Sequence, residues 1–600
     1  MHKAVKTALL AIGTGLLLSA CGGGSGGGDD DAAMTPTPTP APSAAISGVA
    51  AAGAPLAGTV TVKDANGVTR SVPIGADGGY SVDVTGLTAP FVFRAEGVVG
   101  GRRYVVHSAA TAADVGGTIN VTPLTDLIIA NIAGDLASNF FDNPNFASLT
   151  ATELTEQSNA LKARLQDVLT GLGIESTIDL LRTSFATDHS GLDAALDVLR
   201  VTVDPVTQQA TITNLLTNTA ITDDLKSKAD ATKLPDPGDI RAVVGDLQGI
   251  EAALKAFTAK FANGLPTSAE VEPLLDVDFL QEDQSRDNFL ADATTDPNNV
   301  GIQFTGVTLE SPAQETQDGT IARVGFTVLN KDGKLDGIET GWRFKKVTEN
   351  GTTRWLAMGN RARFVAEAYP LALRNDHNGE ITYTTGLEFW IEDENAGNNN
   401  GVVSYALVKG PGLPDAGVRY NVPQLGGEFC LADGPQGSCL KQYVMNDVAI
   451  NSIPDNSSYD FEFYTAGGQK LNITTTTTKQ TRVILRRPHT NGELANLAFP
   501  VLVKPTRTET GQYNGGPVAI QATFPTGYAF GVAANYWTTG DSSEEVDIWR
   551  YDSPATFSET FELAAVPSGE TVNWAQIRLD YMDESLRNVL AVYTVTKNVQ

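Results

Sequence analysis

The sequence predicts a multidomain α+β chain, with an N-terminal β-sandwich, a central α-helical domain and two or three C-terminal antiparallel β-sandwich domains. The first observation behind this is a change of hydrophobic period: two over residues 46–108, helical over 109–298, and two again from 299 onward. The second is that all six tryptophans, Trp342, Trp355, Trp390, Trp537, Trp549 and Trp574, lie in the last part. The third is capacity: 600 residues make roughly four domains. With 42% hydrophobic and 19% charged residues, most of the chain can build cores.

Residues 1–20 have the layout of an export signal. His2, Lys3 and Lys6 precede an apolar run over 8–18 that is too short to span a bilayer. Leu18, Ser19, Ala20 and Cys21 follow, and they resemble the lipobox of bacterial lipoproteins. The resemblance implies cleavage before Cys21 and acylation of that cysteine, so the implied partner is membrane lipid. Two or more acyl chains hold a protein stably on a membrane, because each buried methylene contributes about 0.8 kcal/mol. Gly22 stands where this family places an aspartate for inner-membrane retention, which implies the outer membrane. Residues 21–45 then form a tether of GGGSGGG, the Asp29–Asp31 triplet and TPTPTPAP, with a reach on the order of 40 Å.

Over 46–108, Val60, Val62, Val72, Ile74, Tyr80, Val82 and Val84 alternate with polar or small residues, between turns at Asn66-Gly67 and Asp77-Gly78-Gly79. Together with Ile46-Ser47-Gly48 and Pro55-Leu56, this pattern resembles the carboxypeptidase-regulatory-like domain. That family is a transthyretin-like β-sandwich and an accessory module, so no peptidase is implied.

The middle, 109–298, carries helical stripes. Leu154, Leu161, Leu165, Val168, Leu169 and Leu172 share one face, ended by Gly171 and Gly173. Ile240, Val243, Val244, Leu247, Ile250, Leu254, Phe257 and Phe261 share another, introduced by Pro235, Pro237 and the N-cap candidate Asp239. A further helix is expected over 124–141, and one short hairpin over 201–212.

From 299 the short strands and Gly, Asn, Asp and Pro turns predict sandwiches in series: a region over 299–475, as one or two domains, and another over 476–600. Residues 321–328 with Lys331-Asp332-Gly333-Lys334 are similar to the opening hairpin of bacterial immunoglobulin-like (Ig-like) domains. The last hundred residues look like a fibronectin type III (Fn3-like) module. No Cys-x-x-Cys-His occurs, which excludes covalent c-type haem.

The formal charge of −28 argues against nucleic acid as a partner, since phosphate binding needs a basic face. Only Cys430 and Cys439 remain in the mature body, and in an oxidising envelope they are expected to form a disulfide. No Gly-x-Ser-x-Gly, His-Glu-x-x-His or Walker loop is present, so no catalytic residue is assigned. His107, His189, His377 and His489 look dispersed. For cofactors the expectation is none, with calcium the one candidate: Glu392, Asp393 and Asn395 open an oxygen-rich loop. The loop from Asn330 to Glu339 has the flavour of an EF-hand, but places Val328 at the first ligand position, so a plain turn is the better reading. Trp537, Trp549 and Tyr551, near acidic residues, are the candidate sugar-stacking platform.

The function these features imply is a lipid-anchored outer-membrane lipoprotein with a non-enzymatic adhesion, scaffolding or ligand-capture role, meeting an envelope protein or glycan. The alternative is a surface polysaccharide hydrolase or its carbohydrate-binding accessory subunit.

Overall fold

The computed structural model describes residues 44–597, except 205–207, 227–231, 238–239, 283, 394–402, 423–427, 435–438, 473–478, 526–528, 541, 551–554 and 584. The protein is β-rich, with eight separate sheets among the described residues. None of its described helices is long and apolar enough to cross a membrane.

The first body is a two-sheet sandwich. Ala45–Val49 pairs with Gly79–Asp83. Facing them is a four-stranded sheet in the order Thr69–Pro73, Ala57–Lys63, Phe91–Val99, Arg102–Ala110. Alternation sends Ile46, Val60, Val62, Val82 and Phe93 into one buried core. The predicted Asn66-Gly67 turn is held by Asp64, whose Oδ1 accepts from the backbone N–H of Asn66 at 2.9 Å and of Val68 at 2.8 Å.

The middle divides between two cores. Pro123–Ala133 starts at the Thr122 cap and ends at Gly134, whose φ of 65° is the left-handed conformation glycine adopts freely. The helix expected over 124–141 is therefore two pieces, the second being Ala137–Asp142. Both pack with Ala151–Gly171 and Gly191–Val198, burying Leu127, Leu154, Leu161, Leu165 and Ala195 together. The expected hairpin is a three-stranded meander, Leu199–Asp204, Gln209–Asn214 and Thr219–Asp224. It closes this core through Ala210 and Ile212.

Helix Arg241–Ala259 instead packs on the meander Gln303–Thr316, Gly319–Leu329, Leu335–Glu349, Thr352–Gly359. Its Leu247, Ile250, Leu254 and Phe257 are buried with Phe304, Val324, Phe326 and Trp342. The Phe257 and Phe304 rings stack at 5.4 Å. The stretch expected to open a sandwich thus has one sheet face covered by a helix, whose apolar stripe buries that face.

Two further sandwiches share one seven-stranded sheet, in the order Gln442–Val444, Glu380–Glu392, Val365–His377, Asn588–Thr596, Val572–Met582, Ala529–Thr538, Ser543–Arg550. Its first half packs through Ala366, Leu387 and Phe389 on a five-stranded sheet that runs from Cys430–Leu431 to Gln480–Ile484. Its second half packs through Phe530, Ile577 and Leu579 on Val501–Lys504, Val518–Thr523 and Thr556–Phe561. Val365–His377 pairs in parallel with Asn588–Thr596, from Leu371 opposite Asn588 to His377 opposite Thr594. The two C-terminal regions are therefore joined by backbone hydrogen bonds rather than by a linker alone. Strand Gln480–Ile484 belongs with Ser457–Tyr464, on the far side of the division expected at 475/476.

The N-terminal sandwich contacts this C-terminal assembly. The Arg103 backbone N–H donates to Asn456 Oδ1 at 2.6 Å, Asn456 Nδ2 donates back to the Arg103 carbonyl at 2.6 Å, and the Arg103 guanidinium pairs with Asp455 at 2.7 Å.

His489 makes one region acid-sensitive. Its Nε2 is buried without a hydrogen-bond partner, and burial together with the Arg587 guanidinium holds its pKa down to about 4. Asp583, Glu493 and Arg487 also face it. An unfolded imidazole takes up its proton near pH 6.5. The unfolded chain thus binds the extra proton first, and stability is expected to fall as pH drops from about 6.5 to about 4, by up to about 3 kcal/mol. In urea titrations across that range, His489→Gln should flatten this part of the pH–stability curve.

Candidate functional site

Cys430 and Cys439 form a disulfide, with Cα atoms 4.7 Å apart. By the chain-entropy estimate, closing so short a loop stabilises the fold by about 2–3 kcal/mol. Cys430→Ala with Cys439→Ala is expected to lower unfolding stability by that amount, and reduction of the parent protein should match it.

Glu392 and Asp393 lie at the end of strand Glu380–Glu392, and Asp393 is buried. Asn395 and the remainder of that loop lie outside the described residues. The nearby cation is an ammonium: Lys441 sits 2.8 Å from the Trp390 ring centroid and 3.0 Å from Glu428. The loop after Asn330 is a plain turn, with Asn330 Oδ1 accepting from the backbone N–H groups of Asp332 at 2.9 Å and Lys334 at 3.1 Å.

The candidate platform separates. Trp537 is opposite Ser543 and Trp549 is opposite Gly531. The two share the outer face of the seven-stranded sheet but stand six residues apart along it, about 20 Å. Trp549 packs over Gly531 and against the small cluster of Met582, Leu586 and Val98. Tyr551 lies outside the described residues. The neighbour of Trp537 is Trp574, directly across the strand pair. Trp537 is 49% exposed, which no core role explains. Two residues along this face from the tryptophan pair are Asn535 and Gln576, paired across the strands. A cavity of about 320 Å³ lies on the opposite, core-facing side, where Ala534, Ala575, Ile577, Leu563 and Tyr513 line it. Asn535 Oδ1 is buried without a hydrogen-bond partner.

A second constellation escaped the sequence reading. His189, Asp193 and Asp197 are all buried, and one donor atom from each lies within 4.8 Å of the others. The backbone builds it economically. His189 adopts φ of 60°, its N–H donates to Asp193 Oδ2 at 2.8 Å, and helix Gly191–Val198 then carries Asp193 and Asp197 one turn apart. His189 Nδ1 is 2.9 Å from Asp197 Oδ2, and Nε2 is 3.3 Å from Glu251 Oε2 on helix Arg241–Ala259. Lys255 pairs with Glu251 at 3.1 Å.

Burial pulls the imidazole pKa down, but the hydrogen bonds it donates to Asp197 and Glu251 overcome this and raise it to about 10. Burial, and then repulsion from Asp197, raise Asp193 to about 7. Burial raises Asp197 as well, against the pull of His189. The signal that could have found this set is the spacing His189-x-x-x-Asp193-x-x-x-Asp197, which puts two carboxylates one helical turn apart behind a histidine just ahead of the helix.

No family model and no curated protein matches the chain. Among solved structures it is similar to a tetra-tandem repeat in the extending region of a large adhesion protein. That match has 8% identity, covers 93% of this chain and 100% of that one, and has a TM-score of 0.13. It is also similar to red sea bream transglutaminase, with 10% identity over 65% of this chain and 51% of that one, and a TM-score of 0.13. Likeness at this level carries no argument about function.

Proposed function

We propose that the protein is a lipid-anchored outer-membrane lipoprotein whose β-rich body captures a ligand at the cell envelope, as an adhesion or scaffolding surface rather than an enzyme. The lipobox ending in Cys21 and the tether behind it support the location. The reading also takes residues 46–108 as a carboxypeptidase-regulatory-like module and the C-terminal sandwiches as Ig-like and Fn3-like.

One observation carries the capture role: the exposed Trp537 beside Trp574 on the outer face of the seven-stranded sheet. Aromatic rings offer a flat apolar surface to a sugar ring, and nearby amides supply directional hydrogen bonds. A neutral or amino glycan fits this chemistry better than an acidic one, since Glu545, opposite Asn535, shares this face.

The test is binding of the full-length protein to envelope polysaccharide. Trp537→Ala should weaken binding at least about tenfold with the fold intact, since one lost contact of this kind is worth about 1.4 kcal/mol or more. Trp549→Ala, a packing change, should leave specificity alone. Unchanged affinity in Trp537→Ala removes the capture site.

A further inference from the structure

We propose that His189, Asp193 and Asp197 bind one divalent transition-metal ion, zinc by preference, where the helical core meets the N-terminal sandwich, with Glu251 as the outer partner of the imidazole. This goes beyond ligand capture at the sheet face and does not depend on it.

Geometry is the first support. Zinc holds nitrogen and oxygen ligands at about 2.0–2.2 Å. Two such ligands at right-angled to tetrahedral bond angles are then about 2.9–3.5 Å apart. His189 Nδ1 and Asp197 Oδ2 are separated by 2.9 Å, and one donor atom from each of His189, Asp193 and Asp197 lies within 4.8 Å of the others.

Unsatisfied oxygen is the second. Asp193 is wholly buried and Asp197 is 4% exposed, yet Oδ1 of each has no hydrogen-bond partner. A buried carboxylate oxygen without a donor costs free energy that a native fold rarely leaves uncompensated. The neighbouring chain is glycine: a Cβ on Gly53 would stand 3.3 Å from Asp197 Oδ1 and 3.2 Å from the Leu196 carbonyl. A side chain there would crowd that oxygen.

Charge and orientation complete the case. Three carboxylates meet one buried imidazole, two of them buried and Glu251 part-exposed. A divalent cation on a neutral imidazole, with Lys255 on Glu251, balances the carboxylates of Asp193, Asp197 and Glu251 one for one. Glu251 at Nε2 fixes the tautomer that leaves Nδ1 as the ligand atom, which is the carboxylate–histidine–metal arrangement of resident metal sites. One imidazole and two carboxylates form a borderline donor set. It suits zinc over the softer-liganded copper(I), and over calcium, which takes six to eight oxygens. The ion would tie the helix Gly191–Val198 to Arg241–Ala259, two helices that belong to different cores.

The experiment uses the full-length protein in detergent, stripped with a chelator and titrated with zinc chloride by calorimetry, with cobalt(II) chloride as an optical probe. The expected result is one equivalent bound and a rise in the unfolding midpoint with zinc. Cobalt should give ligand-field absorption that zinc abolishes. Asp193→Asn, which keeps shape but weakens ligation, should lower zinc affinity at least about tenfold, and Glu251→Gln by about 10–100-fold. His377→Ala should change nothing. Absence of stoichiometric binding by the parent protein overturns the proposal, as does parental affinity in a folded Asp193→Asn. If Asp193→Asn does not fold, the cobalt spectrum of the parent decides: a zinc-displaceable band supports the site, and no band refutes it.

Discussion

Arg164→Ala is expected to destabilise the helical core by about 3–5 kcal/mol, the range found when one partner is removed from a buried ion pair. Arg164 is 5% exposed and Asp223 is 2% exposed. They meet at 2.7 Å, while the same guanidinium donates to the carbonyls of Thr222 at 2.8 Å and Thr232 at 3.1 Å. It therefore clamps helix Ala151–Gly171 to the strand Thr219–Asp224 and to the chain that follows. Removing it leaves the buried Asp223 carboxylate to the Asn131 amide, whose Nδ2 donates at 3.0 Å. Arg164→Met with Asp223→Leu should recover most of the loss, since an apolar pair avoids the uncompensated charge. Urea unfolding monitored by helical circular dichroism checks both. A loss below about 1 kcal/mol in Arg164→Ala would mean the pair is dispensable.

Phe389→Ala is the second large effect, expected at about 3–5 kcal/mol. Phe389 is fully buried, with ring centroids of Tyr459 at 5.6 Å and of Tyr420 and Phe461 at 5.9 Å. It is the plug between the first half of the seven-stranded sheet and the five-stranded sheet. Neighbours held by their own strand ladders cannot collapse into the space it leaves. Hydrogen exchange should show loosened amides in Tyr405–Lys409 and Ser457–Tyr464, with Val518–Thr523 less affected. Trp537→Ala should stay within about 0.5 kcal/mol of the parent, as exposed substitutions do.

Local signals carried a good part of the fold. The alternation of Val60, Val62, Tyr80 and Val82, the stripe of Leu154, Leu161 and Leu165, and the Asn66-Gly67 turn all rest on near-neighbour physics. Partner choice was not legible, because it depends on which faces remain free after each element forms. The stripe from Leu247 to Phe257 marked a helix but not that its partner was Phe304 and Trp342, later in the chain. The parallel pairing of Val365–His377 with Asn588–Thr596 joins positions over two hundred residues apart, and no local pattern encodes it. The candidate site divides the same way. Trp537 was visible as an aromatic in a β region, but its pairing with Trp574 needed the register. Asp193 and Asp197 had a legible one-turn spacing, but His189 joins them through a left-handed residue ahead of the helix and Glu251 arrives from another helix.

The proposed lipid anchor at Cys21 is tested most directly by mass spectrometry of the amino-terminal peptide of the protein isolated from envelope membranes. The expected result is a mature chain beginning at Cys21, carrying a diacylglyceryl group and an added acyl chain, and lost from the membrane fraction in Cys21→Ser. A mature chain that begins elsewhere, or a Cys21 without acyl mass, would contradict it.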